Sequence, residues 1–242
     1  MEPVYLLVNS PSVGPLTWAP VAERLRAAGA AVVVPSLVSV TDGGPPFWPA
    51  VAEAVAAVMS DDSERGRERD RDGGRDVVLV VHSNAGLFAP VMVDALARTP
   101  AGVVFVDAAL PDRHGATPVV SPEALEFLRL KADAGRLPPW TEWFDEAEVA
   151  PMFPDAGIRR AVEAEQPRLP LSYYGQRIPA IAGWDARPCG YLLFGPPYDA
   201  VAKDARERGW DVEHLPGRHL HQIVDPDGVA AAIQAMAGRW LR

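Results

Sequence analysis

A serine between a predicted strand and a predicted helix is the first residue whose position suggests chemistry. Ser83 lies in the segment VVLVVHSNAGLF, after an apolar run and before a helical pattern. A serine in such a tight turn presents its hydroxyl at the carboxyl edge of a sheet, near the positive end of the following helix. The usual signature is G-x-S-x-G; here the flanking residues are Val81 and Ala85, with Gly86 one position later. The spacing predicts a nucleophile, with a serine that only caps the helix as the alternative.

Short apolar strands and helical patterns alternate on both sides of Ser83. Strands are predicted at 4–8, 31–34, 77–81, 102–106, 191–194 and 210–215. Helices are predicted at 18–28, 47–59, from the Ser83 turn to about 97, and at 122–134, 200–208 and 227–241. Repeated strand–helix units form parallel sheets with helices on both faces. The sequence therefore predicts an α/β fold with a mostly parallel sheet of about six strands, flanked by helices.

The alternation stops between 111 and 185, where prolines are frequent and helical stretches are short. We predict that this segment is a cap, or lid, inserted between the two parts of the core, 1–110 and 186–242. The aromatic residues predicted to line a substrate pocket under it are Trp140, Trp143, Phe144, Tyr173 and Tyr174. For each of them, a separate hydrophobic cluster beside the main core is the alternative.

The segment 60–76, SDDSERGRERDRDGGRD, contains no apolar residue, and its charges nearly cancel. A mixed-sign run of this kind is typical of a solvated, flexible loop, and the near balance of charge argues against a nucleic-acid-binding tail.

Composition excludes several classes of protein. Of the 242 residues, 48% are hydrophobic and the 25 prolines are dispersed among apolar runs, which excludes disordered and collagen-like chains. The net charge of -9 argues against nucleic acid and membrane surfaces as partners, so we expect a small-molecule substrate. The single cysteine, Cys189, and the lack of a long apolar run predict a cytoplasmic protein. Neither a metal nor an organic cofactor is indicated, the oligomeric state is open, and the high Gly, Ala, Arg and Pro content suggests a bacterial source.

Taken together, these segments resemble the α/β-hydrolase family across essentially the whole chain. VHSNAG stands where many members carry GHSLGG, and LLVNSPSVGPLTW resembles the opening strand and loop that begin LVHG and reach a tryptophan. Near the end, LPGRHLHQIVDPDGVAAAI resembles the histidine loop before the last helix. The resemblance implies the α/β-hydrolase fold and a triad in the chain order serine, acid, histidine, acting by nucleophilic attack.

The resemblance assigns the general base to His219, which stands in the family's histidine loop. His221 is the competing candidate, and His214 is a weaker third. His82, next to the nucleophile, is expected to pack beside the turn.

The acid that orients the histidine is expected in the loop after the strand 191–194. That loop reads GPPYDAVAKD, and Asp199 is the predicted acid, with a helix-capping role as the alternative. Asp107, at the end of the strand 102–106, is the fallback because some relatives take their acid from that position.

The first loop departs from the family pattern. Relatives place an oxyanion-binding amide about two residues beyond the histidine of LVHG, and the aligned residues here are Asn9, Ser10 and Pro11. Proline has no N–H group. The oxyanion would then meet the amide of Asn84 and whatever hydrogen bonds Ser10 or Ser12 can donate.

The sequence thus predicts a serine hydrolase acting on an ester, a thioester or another acyl compound. Two alternatives stay open. One is a non-hydrolytic enzyme, such as a lyase, dehydratase or cyclase, that keeps the histidine base. The other is a ligand-binding protein on the same scaffold with a vestigial triad. The incomplete oxyanion site favours these alternatives, whereas an apparently complete triad favours hydrolysis.

Overall fold

Six parallel strands form the central sheet of the computed structural model, which describes residues 3–66 and 75–241. The strands within these residues are β1 (Val4–Val8), β2 (Ala31–Val33), β3 (Val77–His82), β4 (Gly102–Val106), β5 (Thr117–Pro118), β6 (Arg177–Ile178), β7 (Cys189–Leu193) and β8 (Asp211–His214). The order in the sheet is β2-β1-β3-β4-β7-β8, and β5 pairs with β6 in a separate antiparallel ribbon. The prediction of a parallel sheet of about six strands is confirmed.

Helices cover both faces of this sheet. They are α1 (Ala19–Ala27), α2 (Trp48–Gly66), α3 (Ala89–Ala95), α4 (Pro122–Lys131), α5 (Glu146–Val149), α6 (Ala156–Glu165), α7 (Leu171–Tyr174), α8 (Asp199–Glu207), α9 (His221–Val224) and α10 (Pro226–Trp240). Alternate strand residues point to opposite faces. Leu7 and Val80 pack in the cluster that contains α1 and α10, whereas Leu6 and Leu79 pack in the cluster that contains α2 and α3.

The charged segment departs from its prediction. Helix α2 continues to Gly66, beyond the predicted end at 59 and into the segment 60–76 that was expected to be a loop. The remainder of the expected flexible loop, 67–74, lies outside the described residues.

The chain leaves the sheet after β4 and returns at β7. Between them lie α4 to α7, the β5–β6 ribbon and two short 3-10 helices, Trp140–Trp143 and Ala150–Met152. Ser121 caps α4 by accepting the N–H of Ala124, and a proline follows at the first helical position. This inserted segment matches the place predicted for a cap.

All six sheet strands run in one direction, so the loops after β1, β3, β4, β7 and β8 meet at one edge. That edge carries most of the residues that the sequence predicted to be functional. Among the described helices, none has the length and apolar composition needed to cross a membrane.

Candidate active site

Ser83 lies directly after β3 in a strained turn. Its φ angle of 59° is in the left-handed region, which costs a non-glycine residue about 1–3 kcal/mol and persists where the surrounding structure imposes it. A short 3-10 helix, Ser83–Phe88, follows. A Cβ atom at Gly86 would lie 2.1 Å from the carbonyl oxygen of Ala109, so this turn requires glycine three residues after the serine.

A hydrogen-bonded series connects Ser83, His219 and Asp107. The Ser83 Oγ atom is 2.9 Å from Nε2 of His219, and Nδ1 of His219 is 2.7 Å from Oδ2 of Asp107. Because a carboxylate accepts hydrogen bonds, Nδ1–H donates to Asp107, and Nε2 is left to accept the Ser83 proton. The histidine predicted as the base is therefore in hydrogen-bond contact with the predicted nucleophile.

The carboxylate at His219 belongs to Asp107, directly after β4, which corrects the prediction of Asp199. Asp107 is 1% exposed, and its Oδ1 accepts the N–H groups of Phe194 at 3.0 Å and Gly195 at 3.4 Å. Asp199 is exposed at the start of α8. The chain after β7 thus supplies backbone donors to the Asp107 carboxylate, while its own aspartate faces solvent.

Tyr198 is the side chain after β7 that reaches the histidine. Its ring stacks on the imidazole of His219, with ring centroids 5.2 Å apart and planes at 11°. Burial raises the pKa of the Tyr198 phenol to about 12, with hydrogen bonding to the Ser83 side chain acting in the opposite direction. The phenol is therefore neutral near pH 7. Sequence reasoning missed Tyr198, although it precedes the predicted acid in the turn GPPYD.

The other candidate histidines do not reach Ser83 through a hydrogen bond. His82 is buried, and its Nε2–H donates to the backbone carbonyl of His219 at 2.8 Å. Burial, with a smaller electrostatic contribution from the neighbouring His219 ring, lowers the pKa of His82 well below its usual value and keeps the His82 ring neutral. His221 packs edge-on against Phe194, with centroids 5.4 Å apart, and His214 is exposed at the end of β8.

In the loop after β1, the backbone N–H groups of Ser12 and Val13 are already bonded within the loop. The side-chain amide of Asn9 donates to the carbonyl oxygens of Ser10 at 2.9 Å and Val13 at 2.7 Å, which closes the loop. The N–H of Ser12 donates to Ser10 Oγ at 3.3 Å, and that of Val13 to the Ser10 carbonyl at 3.1 Å. Pro11 has no N–H. Ser10 and Ser12 both line the cavity beside Ser83, so their hydroxyls are donors that this loop can offer to a ligand.

A small cavity with about 180 Å³ of free volume opens beside Ser83. It is lined by Ser10, Ser12, Val13, His82, Ser83, Trp140, His219 and Leu220. Trp140 comes from the inserted segment, and its ring centroid is 5.8 Å from that of His219.

The other four aromatic candidates are not part of this cavity's lining, which corrects their prediction as pocket residues. Trp143 packs against Tyr174 at a centroid distance of 5.6 Å. Phe144 is 40% exposed and packs edge-on against Trp140 at 5.3 Å. Tyr173 and Tyr174 are buried, and their hydroxyls bond to residues of the loops on either side of Ser83. Helical periodicity and composition do not indicate such orientations, because they depend on packing between segments.

Within residues 3–66 and 75–241, no group of three or more His, Cys, Asp or Glu side chains is placed to hold a metal ion. Cys189 is buried and unpaired, and burial raises the pKa of its thiol to about 12. This thiol is therefore protonated and unreactive near neutral pH.

Comparison with known proteins gives matches of family and of fold. The alpha/beta hydrolase family model matches residues 6–232, and no curated protein sequence matches the chain. An extracellular alpha/beta-hydrolase from a Paenibacillus species, described as sharing structural and functional homology with tobacco salicylic acid binding protein 2, is 15% identical with a TM-score of 0.72; the match covers 97% of this chain and 99% of that chain.

Two further solved structures with a similar fold carry different enzyme names. A tomato methylketone synthase I variant complexed with beta-ketoheptanoate is 12% identical with a TM-score of 0.68 and 99% coverage of both chains. A pyrethroid hydrolase from Sphingobium faniae JZ-2 is 22% identical with a TM-score of 0.66 and 98% coverage of both chains. At these identities the likeness shows the fold alone. With a family model that matches nearly its whole length, the chain belongs to the alpha/beta hydrolase family.

Proposed function

We propose that this protein is a serine hydrolase that uses Ser83, His219 and Asp107 on an ester, a thioester or another small acyl compound. The observation that carries the proposal is the unbroken hydrogen-bonded series from the Ser83 hydroxyl to the buried carboxylate, with 2.9 Å and 2.7 Å between its heavy atoms. A serine held at a positive φ angle supports it, because strained backbone clusters at active sites.

In the proposed reaction, Nε2 of His219 takes the Ser83 proton as Oγ attacks the acyl carbon. The resulting imidazolium is stabilised by the carboxylate of Asp107 and gives its proton to the leaving group as the tetrahedral intermediate collapses to an acyl-enzyme. Water then repeats the sequence, with its proton passing to His219 and back to Ser83 as the acid product leaves.

The negative oxygen of the tetrahedral intermediate needs hydrogen-bond donors. In the proposed site, the backbone N–H of Asn84 supplies one, as the residue after the nucleophile does in this fold. The first loop supplies hydroxyl groups from Ser10 and Ser12, which line the cavity, because Pro11 has no N–H at the position where the family places a donor. Loss of one backbone donor typically lowers the rate by about 100- to 1,000-fold. The turnover rate therefore depends on how well these hydroxyls replace the missing N–H.

The inserted segment, 111–185, acts as the cap in this proposal. Trp140 supports that role because it lines the cavity beside Ser83. Because this cavity is small and Trp140 forms part of its wall, we expect a short acyl group or a small alcohol portion rather than a long chain.

Labelling by a fluorophosphonate probe tests the proposal, since the probe reacts with activated serines. We expect stoichiometric labelling of the wild-type protein, loss of label in Ser83→Ala, and strongly slowed labelling in His219→Ala. Hydrolysis of short-chain p-nitrophenyl esters measured on the same three proteins should follow the labelling. An unlabelled, folded wild-type protein would contradict the proposal.

A non-hydrolytic enzyme is the second candidate, and the first loop favours it because Pro11 has no N–H at the position where the family places an oxyanion donor. A methylketone synthase has a similar structure, so this fold also occurs in a protein that is not named a hydrolase. In that case the probe should label Ser83 slowly, while the pocket still binds small carbonyl compounds. A binding protein with a vestigial triad would bind such compounds without converting them.

A further inference from the structure

Two consecutive tyrosines at the end of α7 form hydrogen bonds close to Ser83. One bonds to the residue that follows Ser83 in its turn, and the other bonds to the loop after β1. The Tyr173 hydroxyl donates to Oδ1 of Asn84 at 2.5 Å. The Tyr174 hydroxyl lies 2.8 Å from Oγ of Ser12. Asn84 follows the nucleophile, and Ser12 lines the cavity beside it. The inserted segment therefore contacts both loops from which the oxyanion donors are proposed to come.

The direction of the hydrogen bond between Tyr174 and Ser12 follows from burial. Tyr174 is 4% exposed, and among the described contacts Ser12 is the hydrogen-bond partner of its hydroxyl. If Ser12 were the donor, the phenol proton would be buried without an acceptor, which costs roughly 1–3 kcal/mol. Burial also raises the pKa of Tyr174, which keeps that proton in place. The phenol is therefore the donor, and Ser12 Oγ is the acceptor.

This direction leaves the Ser12 proton free. Ser12 lines the cavity. Its backbone N–H donates to Ser10 Oγ at 3.3 Å and its hydroxyl is bonded to Tyr174, so both its backbone and its side chain are held. With one lone pair of Oγ occupied by the phenol, rotation of the hydroxyl is restricted, and its hydrogen is directed away from Tyr174. The remaining open direction is the cavity.

We propose that Tyr174 is a positioning residue that directs the Ser12 hydroxyl proton toward the oxyanion and so substitutes for the N–H that Pro11 lacks. The inference rests on the proposed serine hydrolase function. A free hydroxyl is a poor substitute for an amide because it must be oriented during the reaction, whereas a preorganised donor needs no reorganisation. Tyr174 provides that preorganisation from behind the loop, and Tyr173 holds Asn84 in the same way.

The test is a double-mutant cycle with Tyr174→Phe and Ser12→Ala, measured as p-nitrophenyl acetate hydrolysis. Tyr174→Phe keeps the ring and removes the donor, so kcat should fall by about tenfold with KM within about twofold. Ser12→Ala should lower kcat by up to about 100-fold. The double variant should match Ser12→Ala, because Tyr174 acts only through Ser12. Tyr5→Phe, which removes a phenol hydroxyl from the far end of β1, is the control for loss of a buried hydroxyl and should leave kcat unchanged.

Each other outcome has a defined meaning. Effects that multiply in the double variant, or an unchanged kcat in Tyr174→Phe, overturn the role of Tyr174 while wild-type turnover and fluorophosphonate labelling leave the hydrolase proposal standing. A wild-type protein without labelling or ester turnover overturns both. If Tyr174→Phe does not fold, Ser12→Thr and Ser12→Val decide, since they match in bulk and only threonine keeps the hydroxyl. Equal kcat values for that pair would overturn the inference.

Discussion

The two sides of Ser83 are built in different ways. On one side, which we call the base side, Asp107, His219 and Tyr198 come from the loops after β4, β8 and β7. On the other, which we call the first-loop side, residues 10–13 come from the loop after β1. The strand order places β1 and β4 as the two neighbours of β3, so the two groups flank the serine.

The difference lies in what orients the polar groups. On the base side, the main chain does so: two backbone N–H groups bind Oδ1 of Asp107, and the backbone carbonyl of His219 accepts a hydrogen bond from His82. On the first-loop side, the proposed oxyanion donors are rotatable hydroxyls instead of fixed amides, and Tyr174 of the inserted segment contacts one of them, Ser12. The core therefore fixes the groups that orient His219 and would stabilise its charged form. The proposed oxyanion donors depend instead on contacts from the inserted segment.

The largest effect should come from the acid. We expect Asp107→Asn to lower kcat for ester hydrolysis by about 10,000-fold, because an amide at this position no longer stabilises the imidazolium or the required tautomer. Asp199→Asn is the matched control and should retain activity within about twofold, since Asp199 is exposed. Equal losses in the two variants would contradict the assignment of the acid to Asp107.

Asp107 and Asp199, compared with Ser83 and His219, show which parts of the site the sequence could predict and which it could not. Ser83 is predicted from its place between an apolar strand and a helical pattern, and His219 from the resemblance of its segment to the family's histidine loop. Asp107 and Asp199 both follow strands that end at that edge, so periodicity does not distinguish them. The choice depends on the backbone donors of Phe194 and Gly195, which are set by the path of the chain after β7.

The fold was more predictable than the inserted segment for a related reason. Strand β4 has the predicted bounds because a continuous apolar run has one stable position in a parallel sheet. In the inserted segment, Trp140 and Trp143 have the same residue type and lie three positions apart, yet one lines the cavity and the other packs on Tyr174. Only the packing between segments determines which tryptophan lines the cavity and which packs against Tyr174.

The two tryptophans offer the next comparison. Trp140→Ala should enlarge the cavity and raise the ratio of kcat/KM for propionate over acetate esters by about tenfold, since one methylene accommodated is worth about tenfold or more. Trp143→Ala should leave that ratio nearly unchanged and lower the free energy of unfolding by about 2 kcal/mol, through lost contact with Tyr174. Chain-length profiles and urea unfolding of both variants measure this. A shift in selectivity from Trp143→Ala as large as that from Trp140→Ala would argue against the assigned roles.

A smaller change on the base side should come from the stacked ring of Tyr198. Removing the stack in Tyr198→Leu should lower kcat by about tenfold, because an aromatic pair contributes about 0.5–1.5 kcal/mol beyond its burial and here holds the imidazole in place. Tyr198→Phe keeps the ring and should retain at least about a third of the activity. If the phenylalanine variant is as impaired as the leucine variant, the hydroxyl near Ser83 matters more than the stack, and the base side depends on a side-chain donor as well.

The smallest expected effect is a gain on the first-loop side from Pro11→Ala. The substitution adds a backbone N–H where the family pattern places an oxyanion donor, without adding bulk. We expect kcat for short activated esters to rise by about three- to tenfold with little change in KM, less than the full value of a donor because the serine hydroxyls already supply part of it. Loss of the proline also makes the unfolded chain more flexible and should destabilise the protein by about 0.4–1 kcal/mol. Pro15→Ala, at the start of the 3-10 helix Pro15–Thr17 in the same region, is the control for that loss and should not raise kcat. An unchanged kcat in a folded Pro11→Ala protein would mean that the new N–H does not face the oxyanion, and the first-loop side would then depend on its hydroxyls for reasons other than the missing amide.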